Sequence, residues 1–591
     1  MNDNNQLDDF FGLKNKDEDN ELGIKESITK KIQNKLKIRL VPKTLSKKER
    51  YFVAAMMLVI IGSTIAIPIT SYFHFTEAAP AYGGKFTEGI VNEPRNINPL
   101  LSQSNDTDRD LVSLIYSGLI EYNDESKIVP DLAQSYEISS DGLNYTVYLK
   151  ENAYWHDGKK VTADDIIFTI QTAQNSDYGS PQRVNWSGVQ IEKVNDFAVM
   201  FKLQAKYAQF LNNLTVKILP KHIWQDIKPI NFALSELNLK PIGSGPYKFN
   251  RLKKDKDGRI LSYELSANKE FYDRRPFIDE IEMKFYFSED EMIDAYNRSE
   301  IESLSFISPD KLNQVKFKQR LNLRELLLPR YFAVFFNQNK SEALSDKNVR
   351  LALSHATNKD ALLKSVLEGR GVAVHSPMIG GVLDIPDNVK KYEYDPELAK
   401  TILKTAGWTA DENGILSKGK QKLSFKITTS TWPELTKVVN IIKEQWEGVG
   451  AQVDIEVLPK PELQQAIKDR NYEALLFGAV LNTDPDPFSL WHSSQKREPG
   501  LNLALYDNKA ADTILEEARQ TLNPLERTNK YDDFQKLVIE DIPAIFLYNP
   551  LYIHGQAKKI KSSNGKLISL PSDRFIDIDK WYIKTRRVLR K

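Results

Sequence analysis

Cysteine is absent from the 591 residues. That excludes a disulfide framework, a thiolate metal site, a cysteine nucleophile and a lipid-modified cysteine. An excess of one charge is missing too. Lys and Arg number 81 and Asp and Glu 80, so no global basic field addresses nucleic acid. The Gly-Lys pairs at Gly84, Gly158, Gly419 and Gly565 are followed by Phe, Lys, Gln and Leu. A phosphate loop needs Ser or Thr there, to reach the metal of a bound nucleotide. No GxGxxG follows a strand pattern, no GxSxG elbow is present, and no HExxH occurs among the seven histidines. Repeats of 20–50 residues, the mark of solenoids and propellers, are lacking. Together these absences weigh against an enzyme. The two carboxylates of a glycosidase can lie far apart in sequence and escape such a search.

One long apolar run is present. Tyr51 to Thr76 holds no Asp, Glu, Lys or Arg, and Phe52–Ile69 is almost wholly apolar. About 20 such residues cross the hydrocarbon of a bilayer. Lys43, Lys47, Lys48 and Arg50 precede the run and the acid Glu77 follows it. Basic flanks stay cytoplasmic, so a single-pass helix over 51–73 places the N-terminus inside and the rest outside. A cleaved signal peptide is the alternative, with Ala79-Pro80-Ala81 as its small-residue site. The run is preceded by some 50 residues, too long a leader for that reading. Residues 1–22 carry seven acids and two lysines and are expected to be disordered. Residues 23–50 turn basic. Ile24, Ile28, Ile32, Leu36 and Leu40 recur every fourth residue, which suits either a helix on the inner leaflet or a solvated linker.

The remainder reads as a large mixed α/β protein of nearly neutral charge. Lys85–Val91 and Asn144–Leu149 have strand patterns. Thr107 or Asp108 is expected to cap a helix over Leu111–Leu119, and Thr162 another. Asp164 and Asp165 sit in that second helix's first turn, where acids complement the dipole, so neither is taken as catalytic. Pro241-Ile-Gly-Ser-Gly-Pro-Tyr247 is a break between lobes. Tyr331–Asn337 is a buried-strand pattern, and Ser345, Asn358 and Asp395 are expected helix caps. Residues 423–479 run strand, helix, strand, helix, strand, which calls for crossovers and a largely parallel sheet. Ligands of such sheets gather at the carboxyl ends of the strands. The stretch Asp484-Pro-Asp-Pro-Phe-Ser-Leu-Trp-His492 follows one of those ends. Its acids and Trp491 fit either a fixed anion with a stacking face or a rigid turn over a core tryptophan.

Several segments in order carry a family resemblance. They are Val129-Pro-Asp-Leu-Ala133, Trp155-His-Asp-Gly158 with Val161-Thr-Ala-Asp-Asp165, and Gly243-Ser-Gly-Pro-Tyr247. Asn348-Val-Arg350, Tyr394-Asp-Pro-Glu-Leu-Ala-Lys400, Asn502–Tyr506 and Asp541-Ile-Pro543 follow. From about Gly84 to Val588 the chain resembles the family 5 extracytoplasmic solute-binding proteins of ABC importers, the peptide- and nickel-binding class. The resemblance implies a two-lobed clamshell of three domains behind the transmembrane helix. Domain I comprises 84–125, 243–330 and 540–591, domain II 126–242, and domain III, the α/β lobe, 331–539. It implies capture of a peptide-like or other small polar solute between lobes, delivery to ABC permease subunits, no cofactor or metal, and a monomer held by one membrane helix. By position, Asn105 and Asp106 fall at the domain I edge of the pocket. Trp432, Asp484, Asp486, Trp491 and Asn502 fall on the domain III side.

Peptide binders of the family often hold the ligand's amino group with an Asp three residues before the Asp-Pro pair. Here that position is Leu481 or Thr483. Either Asp484 or Asp486 substitutes, or the ligand is not a free-amine peptide. The stretch offers only His492 to a metal. Asp484→Ala and Trp491→Ala are expected to weaken binding and leave folding intact. A surface hydrolase on the same scaffold and a membrane-tethered sensor are the rival readings.

Overall fold

A computed structural model describes residues 46–379, 389–412, 414–481, 484–562, 565 and 567–590. The segment 1–45, for which an acidic stretch and a basic helix are expected, lies outside the described residues, as does Thr483. Two units compose the chain, one of residues up to Ala79 together with 586–591 and one of Pro80–Thr585.

In the first unit the apolar run forms one helix, Lys47–Phe75, of 29 residues. It is longer at both ends than the run alone suggests. Ser46 and Glu49 build a reciprocal cap, Glu49 accepting from the Ser46 amide at 2.8 Å. At about 1.5 Å per residue the helix is roughly 43 Å long. None of its residues is buried within the protein. Thr64 and Thr70 turn their hydroxyls back to the Ile60 and Ala66 carbonyls, at 2.7 and 2.8 Å, which satisfies them without water.

The second unit is built on three larger sheets. Seven strands form one, in the order Leu321–Leu326, Tyr552–Ala557, Ser303–Leu304, Lys85–Val91, Glu280–Tyr286, Ile260–Ala267 and Tyr247–Lys254. Distant parts of the chain thus share one sheet. An antiparallel four-stranded sheet takes Ala133–Ile138, Asn144–Leu149, Ala198–Lys202 and Gln190–Asn195. The third has six strands: Gly371–Ala373, Ala544–Pro550, Arg330–Phe336, Ala474–Val480, Ser424–Ser430 and Gln452–Leu458. The last three are parallel, as the crossover pattern requires. Arg330–Phe336 and Ala544–Pro550 run antiparallel to their neighbours, so the sheet is mixed rather than largely parallel. An apolar run reports that a strand is buried, not its direction. Ala544–Pro550 belongs to this sheet although the expected boundary of domain III falls at 539.

Both faces of the six-stranded sheet are covered. Phe332, Val334 and Phe336 pack on one side with Trp446, while Tyr331, Ala333 and Phe335 pack on the other with Trp491. This is the period-two alternation of a strand buried twice over. Local signals fixed most helix starts. Thr162, Asn358 and Asp395 stand at the expected caps. Two starts differ. Asn105, not Thr107 or Asp108, caps Asp106–Ile115, accepting from the Thr107 amide at 3.1 Å. Asp346, one residue past Ser345, caps Lys347–His355.

The motifs that carry the resemblance are largely clasps. A Cβ on Gly243 would lie 1.9 Å from the Ile115 carbonyl oxygen, so only glycine fits there. His156 joins the same knot. Its Nδ1 accepts from the Gly243 amide at 3.2 Å and its Nε2 faces the Gly245 carbonyl at 3.1 Å. Burial pushes His156 down to about 4, and the neutral ring satisfies both bonds. Arg350 donates to the carbonyls of Leu344, Ser345, Asp541 and Ile542 at 2.8–2.9 Å, which ties Asn348-Val-Arg350 to Asp541-Ile-Pro543. Asp165 accepts from the amides of Thr162 and Lys221, at 2.9 and 2.8 Å, a structural role as expected.

Candidate functional site at the strand ends

The six-stranded and seven-stranded sheets are joined by two adjacent passes of the chain. Leu326 ends one strand and Arg330 begins the next; Pro550 ends one and Tyr552 begins the next. Leu326 pairs with Tyr552 on one side of the passes and Phe332 with Tyr548 on the other. The Asn549 side-chain amide donates to the Leu328 carbonyl at 2.8 Å and ties the two passes together. Beside them lie the carboxyl ends of the three parallel strands.

Aromatic rings line this edge. Phe332 stands between Trp432 and Tyr548, with ring centroids 5.5 and 5.3 Å away. Gly478 makes the room, because a Cβ there would meet the Phe332 ring at 2.9 Å. The chain has eight tryptophans. Seven are almost wholly buried, and Trp432 alone is 43% exposed. It sits just past the strand Ser424–Ser430, at the start of Pro433–Glu447. An exposed indole at a strand end, backed by other rings, is a stacking surface.

Charge converges on the same place. Arg330 is half-buried, its Nε is inaccessible to water, and its side chain has no hydrogen-bond acceptor or ion pair among the described residues. Burial lowers its pKa against the pull of Glu434, Tyr552, Asp106 and Tyr548. Glu434, two residues after Trp432, accepts from the Tyr548 hydroxyl at 2.9 Å. Burial holds its carboxyl above the usual glutamate value. Asp106 reaches this field from the helix Asp106–Ile115 and pairs with Arg109. Lys437 bridges to Asp310 at 3.3 Å.

Arg574 is the contrast. It is fully buried and saturated: Nη2 reaches Glu88 at 2.8 Å and Nη1 reaches Asp110 at 2.6 Å. Its charge drives Glu88 down to about 2, while burial pushes Asp110 up to about 6. That cluster stitches Lys85–Val91 to Asp106–Ile115 and the C-terminal region.

The Asp484–Trp491 stretch is arranged otherwise. Asp484 pairs with Arg527 at 2.9 Å and Asp486 with Arg519 at 2.8 Å. Burial raises the Asp484 carboxyl despite Arg527. The backbone of the turn receives side chains from the segment after the four-stranded sheet. Asn212 donates to the Asp484 carbonyl at 3.1 Å and Gln209 to the Pro485 carbonyl at 3.3 Å. Gln209 also donates to the Tyr531 hydroxyl at 2.7 Å. Trp491 is 1% exposed, packed near Phe335, Tyr506 and Phe546. Asn502 is fully buried and donates to the carbonyls of Trp491, His492 and Tyr506 at 2.9–3.2 Å. Asn105 serves its helix cap and reaches the Glu93 carbonyl at 3.2 Å. Of the residues singled out from sequence, Trp432 therefore stands at the strand ends, and the charge of Asp106 is felt there by Arg330. Asp484 and Asp486 form a tied turn, and Trp491 and Asn502 support it from inside.

Arg330, Glu434, Phe332 and Tyr548 are not among the site residues singled out from sequence. One signal was available for Arg330: a lone cation directly before the aromatic run Tyr331–Phe336.

A family model described as bacterial extracellular solute-binding proteins, family 5, matches residues 127–501, more than half of the chain. The chain belongs to that family. It is a solute-binding protein rather than an enzyme, with the mixed α/β fold of such proteins. Among its relatives, the oligopeptide-binding protein AppA of Bacillus subtilis is 29% identical over 514 residues, covering 85% of this chain and 92% of AppA. The dipeptide-binding protein of Escherichia coli is 27% identical over 495 residues, covering 79% and 90%. Among solved structures, AppA in complex with a nonapeptide superposes with a TM-score of 0.69 at 28% identity, covering 87% of this chain and all (100%) of AppA. NikZ from Campylobacter jejuni in complex with Ni(L-His) gives 0.70 at 28% identity, covering 84% and 99%.

Proposed function

We propose that the protein captures a small peptide or similar zwitterionic solute at the strand-end seam and presents it to an ABC permease. Arg330, without an acceptor among the described residues, carries this reading together with Glu434 and the exposed Trp432. A half-buried guanidinium without an acceptor calls for an anion, and a ligand carboxylate supplies one through two parallel N–H bonds. Glu434 and Asp106 offer acceptors to an ammonium group, and Trp432 stacks on an apolar side chain. The peptide ligands of AppA and of the Escherichia coli relative support the ligand class.

The two passes at 327–329 and 551 serve as a hinge in this reading. Domains I, II and III divide as the resemblance implies, with domain III extended to Pro550. The turn at Asp484–Asp486 with Gln209 and Asn212 is a latch across the far side. A ligand shifts the population toward closure only by binding the closed form more tightly. The helix Lys47–Phe75 anchors a monomer in the cell membrane with residues 1–45 in the cytoplasm. Native mass spectrometry of the detergent-purified protein tests the ligand class. A co-purified peptide, displaced by added dipeptides to nonapeptides, is the expected result. A bound solute lacking a carboxylate would overturn the assignment to Arg330.

A further inference from the structure

The first unit joins the helix Lys47–Phe75 to residues from the C-terminal part of the chain. Residues 586–590 lie against the C-terminal end of the helix Lys47–Phe75. Arg587 holds the junction. Its guanidinium donates to the Phe73 and Thr76 carbonyls at 3.2 and 2.6 Å and to the Thr76 hydroxyl at 2.7 Å. It lies over the Phe73 and Tyr72 rings, 4.3 and 5.5 Å from their centroids. The Arg590 amide donates to the Phe75 carbonyl at 2.9 Å. Arg587 thus caps carbonyls that a helix end leaves without partners, at the negative pole of its dipole.

This pins a short tail, Arg586-Arg587-Val588-Leu589-Arg590, at the helix exit. Leu589 is 75% exposed, Phe75 is 62% exposed, and Tyr72 and Phe73 about half. Arg586 and Arg590 are exposed as well, and neither forms an ion pair with an acid among the described residues. Glu77 is the one acid between Tyr51 and Thr87. Aromatic rings, an apolar side chain and free guanidinium groups, set where a membrane helix ends, match the headgroup layer of a bilayer. There the rings sit at the boundary and arginines meet phosphate oxygens.

We propose that the C-terminal tail is a second membrane contact. Arg586 and Arg590 engage phospholipid phosphates of the outer leaflet, and Leu589 enters the acyl boundary. The inference rests on the anchor reading of the helix, and the test separates the two. Because the chain has no cysteine, single labels are clean. Leu589→Cys, Val59→Cys and Ser140→Cys versions of the full-length protein are each labelled with a polarity-sensitive fluorophore. They are placed in nanodiscs of phosphatidylglycerol or phosphatidylcholine that carry lipid-borne quenchers at shallow or deep positions. The 59 label should be quenched by deep quenchers, the 589 label by shallow ones, and the 140 label by neither. Quenching at 589 should be at least twofold stronger in phosphatidylglycerol. It should fall to the level of the 140 label in an Arg586→Glu/Arg590→Glu background. If 59 is quenched but 589 behaves like 140, or if quenching at 589 is the same in both lipids, the tail proposal is overturned and the anchor stands. An unquenched 59 label overturns both.

Discussion

Two regions of the α/β lobe each gather charge and aromatic rings, and they differ in what is left to bind. In the turn Asp484–Trp491 each acid already holds an arginine, Arg527 or Arg519, and the tryptophan is interior. At the strand ends Arg330 has no acceptor among the described residues, and Trp432 is open to solvent. Residue type alone ranks the first region higher, with two acids and two prolines in four residues. Geometry ranks the second higher, because recognition needs groups whose partners are missing inside the protein.

The largest effect that separates them is on folding. Trp491→Ala should destabilise by about 3–5 kcal/mol, the usual cost of emptying a tryptophan site. Thermal unfolding of the detergent-solubilised protein reads this as a drop in Tm. An unchanged Tm with weakened binding would return Trp491 to the binding site. Asp484→Ala leaves the buried Arg527 without its partner and should cost about 1–3 kcal/mol of stability, again with a lower Tm.

Arg330→Gln should do the reverse. Peptide affinity by calorimetry should fall tenfold to a hundredfold, following the roughly 1.5–3 kcal/mol of a charge-assisted bond. Tm should barely move. A peptide with an amidated C-terminus should show little difference between wild type and variant.

A pH series sharpens the contrast. Burial raises the Glu434 pKa. Its protonation, and the loss of its pull on a ligand ammonium, should therefore begin at a pH above the ordinary glutamate range. Affinity for a free-amine peptide should decline as pH falls through that raised value, and Glu434→Gln should flatten the decline. The sign for folding is opposite. A carboxyl with a raised folded pKa costs stability when charged, and that cost disappears as pH falls through the folded value. The smallest effect expected is from Trp432→Ala: a loss of affinity of about 0.5–1.5 kcal/mol from the stacked ring, with stability within about 0.5 kcal/mol of wild type.

Local patterns made much of the fold legible. Asn144–Leu149 alternates and is a strand; Pro433–Glu447 carries its apolar stripe and is a helix. Caps were found where one side chain decides the start, as at Asp395 before Pro396. They were missed by a residue or more at Ser345 and Thr107, where neighbouring polar side chains compete for the same amides. Strand direction was legible only where a helix connects the strands. The site was harder to read. Arg330 and Glu434 are more than a hundred residues apart, and nothing in either's surroundings states that the other is near. The absence of an acceptor is a property of three dimensions. Proline-fixed acids look the same in sequence whether or not an arginine from a later helix has already reached them.

The double pass between the sheets has a mechanical corollary. One strand of polypeptide would act as a swivel, free to twist as well as swing. A pair of parallel threads, cross-linked by Asn549 to the Leu328 carbonyl, resists torsion and leaves a single bending coordinate. In the proposed reading the lobes would then always meet in the same alignment, with Arg330 mounted at the pivot itself.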